Sequence, residues 1–439
     1  MSELPQSVTS GDRARLFPIL SDRSIEGRTL SIFLATLTSV RPFAERLLGQ
    51  IGRRVGVNAK IHAFTEVRFK NLDEGSHDRP DGLLILNTGR KQWTALVEAK
   101  VRKNHIESDQ LNRYLKIAKA NKIDAVITIS NQFSLAPHHH PVSISTPKNV
   151  ELFHMSWMRV LTEAFLLLNE GVEDEEQAFI LNEFKRFISH DSAGVESFTQ
   201  MPPSWSNVAD TIQANGNVLA GPAKEVVQAW HQESQDLSLI FSRQIDAGVI
   251  QKLSRAQINN PSARVADDVE ELRTLNTLSL ELIVPDSAAP VKVCADFGRR
   301  TISISMTLAA PGDKKRNAAR VNWLLRQLPK EDSAGLHVRV QWPATSPWTQ
   351  MPLSEAAENS EPLYAEKGNM VAVGFEIVRL IDMGNRFGQR QTFIKELEDA
   401  VPDFWVRVGQ NLQPWIKPAP RIREERSEPE AVSPSALSD

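Results

Sequence analysis

Three short strand-forming runs, close together in the chain, constrain the fold most. Residues 61–69 alternate and are rich in strand formers, residues 82–86 are continuously apolar, and residues 93–101 are mostly apolar and end in charge. Asn87-Thr88-Gly89-Arg90-Lys91 separates the last two runs and reads as a hairpin turn. Ahead of them, Ile25, Thr29, Ile32, Phe33, Leu37, Val40, Ala44, Leu47, Leu48 and Ile51 recur at helical spacing. That pattern predicts an amphipathic helix with one buried face, kinked or divided at Pro42. Residues 108–121 read as a helix with Leu111, Tyr114, Leu115 and Ala118 on one stripe. Residues 124–129 and 150–153 read as buried strands, and residues 158–168 and 175–188 as helices broken near Gly171. This order predicts an α/β fold, a mixed sheet flanked by helices.

With 439 residues, the chain has room for two or three domains at roughly 100–200 residues each. The polar stretch 190–206, with Pro202-Pro203, is read as the boundary, giving a first domain over 1–190. A second, α+β domain is expected over 206–416, with a role in recognition, dimerisation or docking of a partner protein. Its expected elements are helices over 222–245, 317–328 and 392–412, and strands over 275–284, 291–295, 301–308, 336–342 and 370–380. The segment 417–439 is Pro, Glu, Ser and Arg without apolar periodicity and reads as a disordered tail.

The chemistry sits on the second and third runs. Arg79-Pro80-Asp81-Gly82 opens one strand, and Val97-Glu98-Ala99-Lys100-Val101 closes the next. Side chains alternate along a strand, so Glu98 and Lys100 share a face while Ala99 points the other way. A tight hairpin can bring Asp81 beside Glu98. Two carboxylates and an ammonium on one spot have a use in phosphodiester cleavage, which needs a hard divalent cation to polarise phosphate and activate water. Mg²⁺, or Mn²⁺ in its place, takes one or two carboxylates plus waters and phosphate oxygens. Lys100 can then orient the attacking water or stabilise charge developing on the phosphate. The plain alternative is a strand-end ion pair of Glu98 with Lys100, and Asp81 capping a turn.

This pattern resembles the PD-(D/E)XK nuclease superfamily, which includes restriction endonucleases and RecB-like and lambda-type exonucleases. The resemblance covers the first helix to the second sheet-flanking helix. It implies a restriction-endonuclease-like fold, Asp81 and Glu98 as metal ligands and Lys100 as the catalytic lysine. It also implies the Ala99 carbonyl as a further metal ligand and Glu66, mid-way along the first run, as an upstream catalytic glutamate. Gln110-Leu111-Asn112-Arg113-Tyr114 is similar to the Gln-x-x-x-Tyr of RecB-type members. Four residues apart on a helix is one face, so Gln110 and Tyr114 can reach the same substrate. The first helix carries no histidine of the kind RecB-type members use as a ligand; His62 lies nearer the first strand. The expected activity is a Mg²⁺-dependent nuclease acting on nucleic acid, DNA first among them, in repair or in defence against foreign DNA. A non-cleaving DNA-binding or adaptor protein on the same fold is the alternative.

Other features are read more plainly. His138-His139-His140, between Pro137 and Pro141, is expected to be a solvated loop. Lys314-Lys315-Arg316 and Arg320 open a helix and read as a charged face, with a hint of an anionic partner, while Trp323 and Leu324 read as core. Arg102, Lys103, Lys116, Lys119 and Lys122 are read as flanking the site. The one cysteine, Cys294, excludes an intramolecular disulfide and a cysteine zinc site, and is expected to be a buried strand residue. No Gly-x-x-x-x-Gly-Lys-Ser/Thr loop occurs. No apolar run is long enough to span a bilayer, and the N-terminus has no secretory h-region, so the expectation is a cytoplasmic protein without membrane contact. A net charge of −3 means that any nucleic-acid affinity comes from local patches.

Overall fold

The computed structural model of the chain describes residues 4–18, 20, 24–70, 79–89, 91–329 and 331–417. Beyond Lys417 itself, the tail expected from 417 lies outside the described residues, as does Arg90 of the hairpin.

The elements of the first half are β1 (Val8–Arg13), α1 (Ile25–Ser39), α2 (Arg41–Gln50), β2 (Lys60–Phe69), β3 (Gly82–Asn87), β4 (Gln92–Ala99), α3 (Ser108–Ala120), β5 (Ala125–Ser130), β6 (Glu151–Ser156), α4 (Trp157–Glu170) and α5 (Glu175–Ile188). They form a six-stranded sheet in the order β1-β2-β3-β4-β5-β6. β1 to β4 are antiparallel, whereas β4, β5 and β6 are parallel. Pro42 divides the first helical stretch: Val40 is extended, and Pro42 sits in the first turn of α2, where its missing N–H costs nothing.

Alternation along the strands sorts the two faces. Leu84, Leu86, Ala95, Val97 and Ala99 pack with α1, α2, α4 and α5 in one core. Leu83, Ile85 and Leu96 face the other way and are covered by Leu111, Tyr114, Leu115 and Ala118 of α3. By the same parity Asp81 and Glu98 belong to the α3 face, which places them under that helix.

The second half contains α6 (Pro203–Gln213), α7 (Ala220–Ile245), β7 (Ile250–Gln251), α8 (Arg255–Asn259), α9 (Pro261–Leu275), β8 (Thr277–Ile283), β9 (Val291–Asp296), β10 (Thr301–Ala309), α10 (Asn317–Leu325), β11 (Leu336–Gln341), β12 (Thr349–Pro352), α11 (Leu353–Glu358), β13 (Gly374–Asp382) and α12 (Arg390–Arg407). Its seven-stranded sheet runs β12-β11-β13-β10-β9-β8-β7, and every strand pair in it is antiparallel. A core from Met201 to Leu412 belongs to this half. α7 joins the halves: Trp230, Leu237 and Phe241 enter the second core, while Leu239 enters the first. The chain is therefore mixed α/β with two sheets. Among the described residues no helix is long and apolar enough to cross a membrane.

Several expectations need correction. The strand expected at 370–380 begins only at Gly374, because Asn317 and Arg320 of α10 hold Met370 and Ala372 by their carbonyls outside the sheet. The helix expected to run to Leu412 ends at Arg407. Cys294 lies in β9 but is only half-buried. The triple-histidine loop is not simply solvated. His138 is exposed, but His139 and His140 are half-buried. His140 Nδ1 accepts the Val142 N–H (3.0 Å), so its Nε2–H faces the Thr128 hydroxyl at 2.8 Å. That hydroxyl also lies 2.8 Å from Nδ1 of buried His154, whose Nε2 meets the Gln132 carbonyl at 2.8 Å. Burial pushes His140 down to about 4 and His154 to about 3, so both are neutral links that pin the β5–β6 connection.

Candidate active site

The β3–β4 register pairs Gly82 with Val97. One step further out, the same antiparallel ladder sets Asp81 opposite Glu98. Gly82 permits the approach: a Cβ there would come within 2.9 Å of Leu34 Cδ1 and 3.3 Å of Val97 Cβ. Asp81 Oδ2 accepts the Ala99 N–H at 3.1 Å, which ties its carboxylate to the end of β4. Glu98 is 1% exposed, and its Oε1 lies 2.6 Å from Lys100 Nζ. Beyond that ion contact, neither Glu98 carboxylate oxygen accepts a well-directed hydrogen bond among the described residues. Asp81, Glu98 and Lys100 are thus brought together.

Their electrostatics follow from the crowding. Burial, then the neighbouring Glu98 carboxylate, raises Asp81 well above the usual carboxylate range, and Lys100 offsets this only in part. Burial alone would lower the Lys100 ammonium, but Glu98, Asp81 and Glu26 outweigh it and hold its pKa above the usual lysine value. Asp81 therefore holds a proton more readily than an ordinary carboxyl, a condition that a divalent cation would relieve.

Gln110 and Tyr114 come to the same place. Gln110 Nε2 donates to the Tyr114 hydroxyl (3.2 Å), which donates to the Arg79 carbonyl at 3.1 Å. Burial, then the charges of Glu98 and Asp81, raises the Tyr114 phenol far above its ordinary value. It stays protonated as a donor at the edge of the carboxylate pair.

Glu66 is placed differently. It lies in β2 at a positive φ of 58°, a left-handed kink, and its N–H donates to the Asp81 carbonyl at 3.0 Å. Its carboxylate pairs with Arg79 Nη2 at 2.6 Å, so its backbone supports Asp81 while its side chain is engaged at the rim. Ala99 is wholly buried, and its N–H is the donor that holds Asp81. His62 lies in β2, where its backbone pairs with Ile85. Lys119 does not flank the site: nine residues after Gln110 on α3, it lies about 13 Å along the axis. Lys122, past the end of α3, is farther still. Arg320 is held by the Lys314 and Ala372 carbonyls, so it serves the fold of the second half rather than an anion.

Sequence reasoning missed two contributors. Glu26, in the first turn of α1, lies 3.7 Å from Lys100 Nζ and accepts from Asn104. Trp157, the first residue of α4, donates its indole N–H to the Lys100 carbonyl at 2.9 Å. The only available signal was weak: an acidic residue at a helix start looks like an ordinary favourable dipole contact.

Among the described residues no group of three or more His, Cys, Asp and Glu forms a ready metal cage. The donor set here is two carboxylates with water and substrate left to complete it, which is the way Mg²⁺ is usually held. No family model, curated protein or solved structure matches the chain.

Proposed function

We propose that the chain is a divalent-metal-dependent nuclease of restriction-endonuclease-like fold that hydrolyses phosphodiester bonds of nucleic acid, DNA first among them. The observation that carries this reading is the convergence of Asp81, Glu98 and Lys100 at one buried strand end, with the Glu98 oxygens poorly satisfied. The sheet supports it: helix, three strands, the helix α3 and a further strand follow in the order read from the sequence, and they join in one mixed sheet.

In this reading Asp81 and Glu98 hold Mg²⁺ or Mn²⁺, with the Ala99 carbonyl as a third protein oxygen. The bound cation supplies Lewis acidity and lowers the pKa of a coordinated water. Lys100, kept protonated by its acidic neighbours, stabilises charge on the phosphate oxygens as the P–O bond breaks. Tyr114, oriented by Gln110, keeps its hydroxyl on the Arg79 carbonyl and so steadies the strand end that carries Asp81.

Calorimetric titration with Mn²⁺ tests the reading and separates it from a non-cleaving binder. Losing a group that merely orients a ligand costs roughly 10–100-fold in metal affinity, so losing a ligand costs at least as much. Wild type should bind Mn²⁺, and Asp81→Ala and Glu98→Ala should each bind at least about tenfold more weakly. Equal binding by all three would remove the metal centre from this site.

A further inference from the structure

A cavity of about 860 Å³ lies between the loops that follow β4, β5 and α5 on one side and α7 and α9 on the other, and its wall begins two residues beyond Lys100. Arg102 and Lys103 are on that wall, both exposed. The Arg102 backbone is fixed. Arg102 has a positive φ of 56°, its N–H donates to the Gly194 carbonyl (2.7 Å), and its own carbonyl accepts from Asn131 Nδ2 (3.0 Å). Among the described residues neither cation has a carboxylate partner within 4 Å, unlike Arg46, Arg79, Arg300 and Arg339 elsewhere on the surface. The opposite wall is α7 and α9 of the second half, with exposed Gln228 and with Arg264, which Asp268 answers at 3.7 Å. The lining carries one carboxylate, Glu196, against Arg102 and Lys103, the Arg264 charge being met by Asp268. In a chain of net charge −3, this is a local positive field, and two residues of extended chain, at most about 7 Å, separate it from Lys100.

We propose that this cleft is the track for an unpaired nucleic-acid strand flanking the scissile phosphate, with Arg102 and Lys103 gripping its phosphates. The proposal rests on the nuclease reading and adds the substrate form to it. Size selects the single strand. A cavity of this volume is in the range of sites that take small organic ligands, with room for a few nucleotides. A turn of duplex is about 34 Å long and cannot enter. Positive grooves that follow a backbone are how single strands are held without reading sequence.

The test is fluorescence anisotropy of the full chain in EDTA, so that no cleavage is needed. The probes are a labelled single-stranded oligodeoxynucleotide and the duplex of the same sequence. Wild type should favour the single strand. In the Arg102→Gln/Lys103→Gln variant the slope of log K against log[salt] should fall by about 1.4, two contacts at about 0.7 each, which is roughly tenfold in affinity near 0.15 M salt. Gln228→Glu, across the cleft, should weaken binding severalfold by repulsion, and Lys119→Ala, at the far end of α3, should leave it unchanged. Wild-type affinity and slope in the double variant, or preference for the duplex, would overturn the cleft assignment. If those results accompany intact Mg²⁺-dependent cleavage, the nuclease reading stands alone. If wild type binds the strand as expected but never cleaves, the nuclease reading fails and the binding track remains.

Discussion

Lys100→Ala is expected to slow single-turnover DNA cleavage by roughly a hundred- to a thousandfold while leaving Mn²⁺ and substrate binding largely intact. Removing one preorganised electrostatic group costs about that much in rate. The structure gives the division of labour. Asp81 is anchored to the Ala99 N–H and Glu98 is enclosed by the sheet and α3, so both carboxylates keep their places without the lysine. The ammonium, 2.6 Å from Glu98 and 3.7 Å from Glu26, contributes charge rather than scaffold. Without it Asp81 loses a cation that partly offsets its burial and the neighbouring Glu98 carboxylate. Single-turnover rates beside a Mn²⁺ titration read both halves of this expectation. Cleavage at the wild-type rate would make Lys100 a bystander.

Trp157→Ala is expected to cost about 3–5 kcal/mol in urea unfolding, the usual loss when a buried tryptophan is cut to a methyl group. Trp157 is fully buried, meets Phe33 edge-on at 5.5 Å, and spans the junction where β6 enters α4. It also holds the Lys100 carbonyl, so the loss should reach the site. Trp157→Phe separates the two effects. It keeps most of the bulk, loses one hydrogen bond worth about 1 kcal/mol, and should slow cleavage by more than its small stability loss explains. A loss under about 1 kcal/mol for the alanine variant would contradict the packing.

The site was legible because it depends on strand parity and a hairpin, which are local. Alternation placed Glu98 and Lys100 together, and the turn at 87–91 set the register that puts Asp81 opposite Glu98. The four-residue spacing placed Gln110 and Tyr114 on one helical face. What stayed hidden has no apolar rhythm. β1 reads Val-Thr-Ser-Gly-Asp-Arg and buries only Val8, so its pairing with β2 is carried by the backbone. α9 buries only Arg264 and Leu272, although Asn260 capping Ala263 and Pro261 in the first turn were start signals in plain view. Glu26 reaches Lys100 only through packing of α1 on the sheet, and no spacing rule links residues that far apart. The same holds for the histidine loop: its partners Thr128 and His154 come from two parallel strands whose adjacency is a tertiary fact.

The most direct measurement is cleavage of circular and linear DNA, single- and double-stranded, with Mg²⁺, Mn²⁺ or EDTA, by wild type and Asp81→Ala. The account predicts product with wild type and either metal, none in EDTA, and none above background with Asp81→Ala. Cleavage that persists in EDTA or in Asp81→Ala would contradict it, as would no cleavage by wild type of any of these substrates with either metal.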